Sequence, residues 1–324
     1  MHAVAACACS PDGAARPRLA LGNVDVPIFL RSASKPFIAA TIVAAGAVGR
    51  FGLEQREIAI IAASHGGEAG HVAAVRSILR KTGFAESDLQ CGAHAPSYEP
   101  AAAALAREGI PYSAIHNNCS GKHAGILALA RLLGADPATY LEPDNPAQRR
   151  ILEFCARLSD EDPAGVPLGI DGCGIPVYAL PLRRAALAFA RFATLSHVSD
   201  ETAEALACVR AALAAQPFYV AGTGRFDSAL IEASGGRAIG KAGAEGVHGD
   251  ALLDPGLGLA LKVIDGNRRA VPPAALALLR ELGAIDARAE ATLAPFARPQ
   301  ILNVAGRVVG ELRVRDFGGR SLPR

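Results

Sequence analysis

Pro27-Ile28-Phe29-Leu30-Arg31-Ser32-Ala33-Ser34-Lys35-Pro36-Phe37-Ile38 is the stretch on which the fold turns, because it hands a short strand over to a helix. Upstream of it the chain reads as strands. Ala3 to Cys9 is small and apolar, Ser10-Pro11-Asp12-Gly13 is a turn, and Arg18 to Gly22 and Pro27 to Arg31 are short strands. Downstream, apolar residues recur at three- and four-residue spacing. This pattern predicts helices over Leu53 to Ala63, His71 to Thr82, Pro100 to Arg107, Ser120 to Leu133, Pro146 to Leu158, Arg183 to Phe192 and Asp200 to Ala214. Strand character returns at Phe218 to Ala221, Arg237 to Gly240, Gly258 to Ile264 and Gly306 to Val314, with helices at Asp227 to Ala233 and Pro273 to Leu282. Strand-rich ends around a helix-rich middle predict one α/β (α+β) unit over 1–324. Residues 1–50 and 215–324 would form its mixed sheet lobe, and 51–214 an inserted, mainly helical lobe.

The composition narrows the function classes. The 324 residues carry 33 Lys plus Arg against 31 Asp plus Glu, a net charge of +2, with 51% hydrophobic and 20% charged residues. That is the make-up of an ordinary globule and argues against nucleic acid or an anionic membrane as the main partner. The longest apolar run, Pro36 to Val48, falls well short of the roughly 20 residues of a membrane span. Val4-Ala5-Ala6-Cys7 resembles a lipoprotein cleavage box, but Met1-His2-Ala3 supplies no basic segment before it. Seven scattered cysteines point to reduced thiols and a cytoplasmic location rather than a disulfide framework.

Lysine is scarce: only Lys35, Lys81, Lys122, Lys241 and Lys262 occur, so each needs a reason. Ser32 and Lys35 stand three apart at a helix start, which puts a hydroxyl and an amine on one face, the arrangement of a serine nucleophile with a lysine base. Such a base must be neutral, hence desolvated or close to another cation. Ser64-His65-Gly66-Gly67-Glu68, with His71, is a polar joint between helices, and Ser64 in it reads equally well as a helix cap. His116-Asn117-Asn118-Cys119-Ser120-Gly121-Lys122-His123 is the densest polar cluster, and it is not a Walker loop. Cys119 and His123 could share a metal with Cys173 of the tight loop Asp171-Gly172-Cys173-Gly174-Ile175-Pro176, or both cysteines could be buried as small hydrophobes. Lys241 ends a strand among small residues, and Gly222-Thr223-Gly224 lacks the later glycine of a dinucleotide fingerprint.

Taken together these segments, with Cys91-Gly92-Ala93-His94-Ala95-Pro96, Ala221-Gly222-Thr223-Gly224-Arg225-Phe226 and Lys241-Ala242-Gly243-Ala244-Glu245-Gly246, resemble one family in order across nearly the whole chain. It is the serine-lysine L-asparaginases of the thermolabile, Rhizobium type. The resemblance implies a fold related to serine β-lactamases and glutaminases, and hydrolysis of L-asparagine to L-aspartate and ammonia through an acyl-enzyme. It implies Ser32 as nucleophile with Lys35 as base, a second pair of Ser64 with Lys241, and Arg31, Lys122 and Asp171 as substrate-binding residues. It further implies a zinc ion held by Cys119, Lys122 and Cys173, with Lys122 in place of His123, and a homodimer. Some relatives have a cysteine where Asp227 stands, a difference expected to leave both serine-lysine pairs untouched. Relatives also carry an N-terminal segment before His2 that contributes to the pocket. The alternatives are another small-amide hydrolase such as a glutaminase, or a non-catalytic amide-binding relative. A β-lactamase is excluded, since there is no Ser-Asp-Asn and Lys241-Ala242-Gly243 lacks the threonine.

Overall fold

Strand β1 (Val4–Cys9) opens the chain, β2 (Leu19–Leu21) and β3 (Pro27–Phe29) follow it, and β4 (Leu168–Ile170) and β5 (Pro176–Pro181) lie in its middle. Strands β6 (Ala238–Ala242), β7 (Val247–Leu252) and β8 (Leu257–Val263) come later. The computed structural model describes residues 1–13, 16–317 and 320–321. Its main sheet is antiparallel throughout, in the order β2-β1-β8-β7-β6, with Ala6 opposite Leu261. The first strand therefore pairs directly with one from the last third of the chain, as the strand-rich ends predict. Strands β3, β5 and β4 form a separate small antiparallel sheet.

The helices are α1 (Lys35–Ala44), α2 (Ala47–Phe51), α3 (Gln55–Ile61), α4 (Ala69–Thr82), α5 (Glu99–Arg107), α6 (Ser120–Leu132), α7 (Pro146–Leu158), α8 (Leu182–Thr194), α9 (Asp200–Ala215), α10 (Phe226–Ala233), α11 (Val271–Glu281) and α12 (Ala287–Ala297). Successive side chains of a strand point to opposite faces, and β1 shows it. Ala5, Cys7 and Cys9 join the cluster that holds Ala186 and Phe189 of α8, whereas Ala6 and Ala8 join Leu276, Leu279 and Leu293 of α11 and α12. The sheet is thus covered on both faces, which is why β1 can be apolar throughout. On the α8 side the approach is very close. A Cβ on Gly258 would stand 2.0 Å from the Ala186 carbonyl oxygen, so only glycine fits.

Helix α1 is apolar all round and nearly every residue in it is buried, against α3, α6, α7 and α9. Proline at its first turn costs no hydrogen bond there. Helix α6 presses on α3 because Gly121 has no Cβ, which would lie 2.2 Å from the Ile60 carbonyl oxygen. That packing role explains the Gly121-Lys122 pair without any phosphate. Among the described residues no helix is long and apolar enough to cross a membrane.

Four expectations need correction. Phe218 to Ala221 is not a strand but a 3-10 turn, Pro217–Val220, since proline starts it and the aromatic rings of Phe218 and Tyr219 pack on His71. The helix expected near Ser32 begins as a 3-10 turn, Arg31–Ser34, and becomes α-helical only at Lys35. Cys119 and His123 do not converge on a metal: His123 Nδ1 shares a 2.8 Å hydrogen bond with the Tyr140 hydroxyl. The strand expected over Gly306 to Val314 is Val308–Glu311, and it pairs with Gln300–Leu302 rather than joining the main sheet.

Candidate active site

The turn that carries Ser32 is wedged against the exit of β6. A Cβ on Gly243 would lie 2.6 Å from the Leu30 carbonyl oxygen and 3.3 Å from the Ala33 amide nitrogen, so the backbone after Lys241 touches the backbone around Ser32. Arg31 adopts a left-handed φ of 51°, unusual for a residue with a side chain, and this bends the chain out of β3 into the turn. Ser32 is half-buried at this corner.

Lys35, the first residue of α1, is fully buried. Its Nζ donates to the Ala63 carbonyl, stands 3.0 Å from the Ser64 hydroxyl and lies 3.3 Å from Cys119 Sγ. Burial pulls its pKa down; Cys119 opposes that and the Lys122 ammonium reinforces it. Ser64 sits where α3 has ended, in a loop held on both sides. The Ser64 amide donates to the Val220 carbonyl at 3.0 Å, and the His65 amide to the Asn118 carbonyl at 3.3 Å. His65 also shares a 3.0 Å hydrogen bond with the Ser120 hydroxyl, which ties this loop to the start of α6.

Lys122 and the two cysteines form a second knot. Lys122 is buried, and its Nζ donates to Cys173 Sγ at 3.0 Å and lies 4.0 Å from Asp171 Oδ2. Burial works against its charge, but Cys119, Cys173 and Asp171 outweigh it and raise its pKa. The hydrogen bond with Cys173, aided by Lys122 and Lys35 against burial, holds the Cys119 thiol well below its ordinary pKa. Cys173, the partner that keeps its proton, is pushed up. Asp171 Oδ1 accepts from Arg31 at 2.8 Å and from the Gly172 amide at 2.9 Å. Burial would raise its pKa, yet Lys122 and Arg31 keep it below the carboxylate range. Arg31 reaches on to Glu245 at 2.9 Å, so it links the two carboxylates.

The structure thus brings Lys35, Ser64, Cys119, Lys122, Asp171, Cys173 and Arg31 into one connected group. It departs from both expected serine-lysine pairs, because among the described residues no hydrogen bond joins Ser32 to Lys35. The hydrogen bond of Ser64 goes to Lys35, while Lys241 Nζ lies 3.2 Å from Asp227 Oδ2 and donates to the Ala242 carbonyl at 2.8 Å. Asp227 was expected to leave the serine-lysine pairs alone, and instead it is the ion-pair partner of Lys241. Burial lowers the pKa of Lys241 to about 8, with Asp227 resisting and Lys35 assisting.

Sequence reasoning passed over several residues that shape this region. Glu68 accepts from the Thr223 amide at 2.9 Å and from its hydroxyl at 2.7 Å, which fastens the 222–225 loop beside Ser64. Asp227, His248 and Asp250 are buried near Lys241, and only the two-residue spacing of His248 and Asp250 hinted that they share a strand face. Among the described residues no three His, Cys, Asp or Glu side chains are grouped to hold a metal ion; the knot above offers two thiols and an amine.

A family model for L-asparaginase II matches residues 1–314. The chain belongs to the L-asparaginase II family. It is an amidohydrolase that acts on L-asparagine. Two solved structures, described as "Crystal Structure Analysis of Mglu" and "Crystal Structure Analysis of Mglu in its native form", are also similar to this asparaginase. Each is 16% identical. The first match covers 87% of this chain and 67% of that one at a TM-score of 0.46, and the second 88% and 65% at 0.45. No curated protein matches the chain.

Proposed function

We propose that this L-asparaginase works by a serine-lysine mechanism in which Ser32 attacks the side-chain carboxamide of L-asparagine. The observation that carries this reading is the buried Lys35 amine, which opens α1 directly after the turn that presents Ser32 and is joined at 3.0 Å to the Ser64 hydroxyl. Neutral Lys35, directly or through Ser64, takes the Ser32 proton as the Oγ–C bond forms. The proton then passes to the leaving nitrogen as the C–N bond breaks and ammonia departs. Water, deprotonated by the same amine, hydrolyses the ester to L-aspartate and restores Ser32. Lys241 serves as an ammonium whose own pKa the nearby Lys35 charge lowers, while the Lys122 ammonium favours the neutral form of Lys35. Arg31, Lys122 and Asp171 offer two cations and one carboxylate, the complement of an amino acid's carboxylate and ammonium.

Cys119, Lys122 and Cys173 place two sulfurs and one nitrogen together, a donor set that zinc takes once Lys122 and Cys173 give up the protons they hold here, with Cys119 already the thiolate. Bound there, zinc would provide a Lewis acid for the substrate's carboxylate. In this reading 1–50 with 215–324 and 51–214 are the two lobes of one catalytic unit, arranged as in serine β-lactamases and glutaminases, in a cytoplasmic homodimer. The deciding experiment is ammonia release from L-asparagine and L-glutamine by the wild type and by Ser32→Ala. Loss of release in a folded variant supports the reading, and full activity removes Ser32 from it.

A further inference from the structure

Lys241 is the end of a buried string of four ionisable side chains that crosses the edge of the main sheet. Strand β6 is the edge strand, and helix α10 lies beside it, placing Asp227 at the rim. Asp227 Oδ2 accepts from the Ala242 amide at 2.9 Å and from Lys241 Nζ at 3.2 Å. Its other oxygen, Oδ1, faces His248 Nδ1 at 3.9 Å, and His248 Nε2 meets Asp250 Oδ1 at 2.9 Å.

The strand register explains the layout. Gly240 stands opposite Asp250 and Ala242 opposite His248, so their small side chains leave that face of β6 open. A Cβ on Gly240 would lie 2.7 Å from Asp250 Oδ1 and 3.0 Å from His248 Nε2. The glycine is a cradle for the His248–Asp250 pair. Lys241 is one position along, on the opposite face, on a strand packed against the Arg31–Ser34 turn, and Asp227 reaches round the edge to join the two sides.

Charge balance then assigns protons. The side chains of Lys241, Asp227, His248 and Asp250 are 1%, 5%, 0% and 0% exposed. Two carboxylates and one ammonium would leave a net charge buried, which is costly. A protonated His248 cancels it. Burial disfavours that charge, but Asp250 and Asp227 prevail, and the pKa of His248 is raised. Asp227 is therefore shared between two cations, with Arg225 as a further positive neighbour and Lys35 the other charge facing Lys241. A shared carboxylate grips the Lys241 proton less firmly than a dedicated one.

We propose that Asp227, His248 and Asp250 are positioning residues that fix the Lys241 amine and set the pH at which it loses its proton, and thereby the alkaline limit of turnover. This rests on the reading of Lys241 as a working ammonium. The test is the pH dependence of kcat/KM for L-asparagine in wild type, Asp227→Asn, His248→Gln and Asp250→Asn, with melting curves to establish folding. Asp227→Asn removes the anion that favours the ammonium, so the alkaline limb moves down by about 1 to 3 pH units. His248→Gln and Asp250→Asn free Asp227 to hold Lys241, so the limb moves up. A merely structural role would not shift the limb in opposite directions. If Asp227→Asn does not fold, His248→Gln decides alone: an upward shift supports the string, and an unmoved limb overturns it. Lys241→Met separates the two levels. Its inactivity beside unmoved limbs in the other variants overturns the string and leaves the catalytic reading standing. A fully active Lys241→Met overturns both.

Discussion

The Lys35 amine lies 3.0 Å from the hydroxyl of Ser64, a residue on a different loop, rather than being spent on Ser32 of the turn just before it. Helix α1 sets this up by starting at Lys35, so that the amine points into the bundle, where the end of α3 delivers Ala63 and Ser64. Ser32 is left on the 3-10 turn, at the half-buried corner beside β6. In the proposed mechanism the two serines divide the work, half-buried Ser32 meeting the substrate and Ser64 bonded to Lys35 as base.

Ser32→Ala should abolish ammonia release without changing the melting temperature, since it removes one hydroxyl from a half-buried corner. Ser64→Ala should retain the nucleophile and lose the proton path, lowering kcat by about 10²–10⁴-fold. Steady-state kinetics on both variants checks this. Equal, complete loss in both would merge their roles, and residual activity in Ser32→Ala alone would promote Ser64 to nucleophile.

Much of this arrangement could be read from the residues. Of the five scarce lysines, the three that fall inside the motifs of the family resemblance, Lys35, Lys122 and Lys241, are all buried. The helices with clear periodicity, α7 and α9 among them, fall within a residue or two of their expected ends. What escaped was set by tertiary contact. Strand β7, Val-His-Gly-Asp-Ala-Leu, is buried on every residue, so it shows no alternation to read, and its polar pair finds partners across a sheet edge. Strand β4 is defined by pairing with β5, and β5 also pairs with β3 across about 150 residues of chain, an arrangement no local pattern records. Asp227 stands in the first turn of α10, where a local pattern shows only a helix start, and its meaning comes only from Lys241.

Purified without chelator, the protein should contain about one zinc per chain. Cys173→Ser should empty the site while leaving most secondary structure, because the loop around it is also held by Asp171 hydrogen bonds. Elemental analysis gives the answer directly. A metal-free wild type with full activity would remove zinc from the site.

Gly258→Val should destabilise the chain strongly. Its side chain would enter the backbone of α8 at Ala186 and Ala190, where no rotamer can yield. The cost is at least about 1–3 kcal/mol, read as a lower urea midpoint. An unchanged midpoint would show that α8 can lift from the sheet.

Glu57 should contribute to acid stability. Its buried side chain accepts from Lys81 at 2.7 Å and from the Glu54 amide at 2.7 Å, capping α3. Burial opposes the charge, yet Lys81, Ser77 and the Glu54 amide lower the pKa overall. A depressed folded pKa means stability that is present above the ordinary carboxylate range and lost as pH falls through the folded value. Glu57→Gln should therefore lower the melting temperature near neutrality and shrink the difference between variant and wild type in acid. A gap that stays constant with pH would deny the ion pair its role.

Arg31 offers a test of how burial weights its two ion pairs. Asp171 is 9% exposed and doubly bonded to Arg31, whereas Glu245 is 69% exposed. Charged hydrogen bonds at buried sites contribute about 1.5–3 kcal/mol, and exposed pairs about 1 kcal/mol or less. Arg31→Lys keeps the charge but loses the fork that grips Asp171, so kcat/KM should fall by about 10- to 100-fold, mostly through KM. Glu245→Gln, which touches only the exposed arm, should cost no more than about five-fold. The reverse order, with Glu245→Gln the more damaging, would mean that substrate meets Glu245 itself and that the outer arm of Arg31 is part of the binding site.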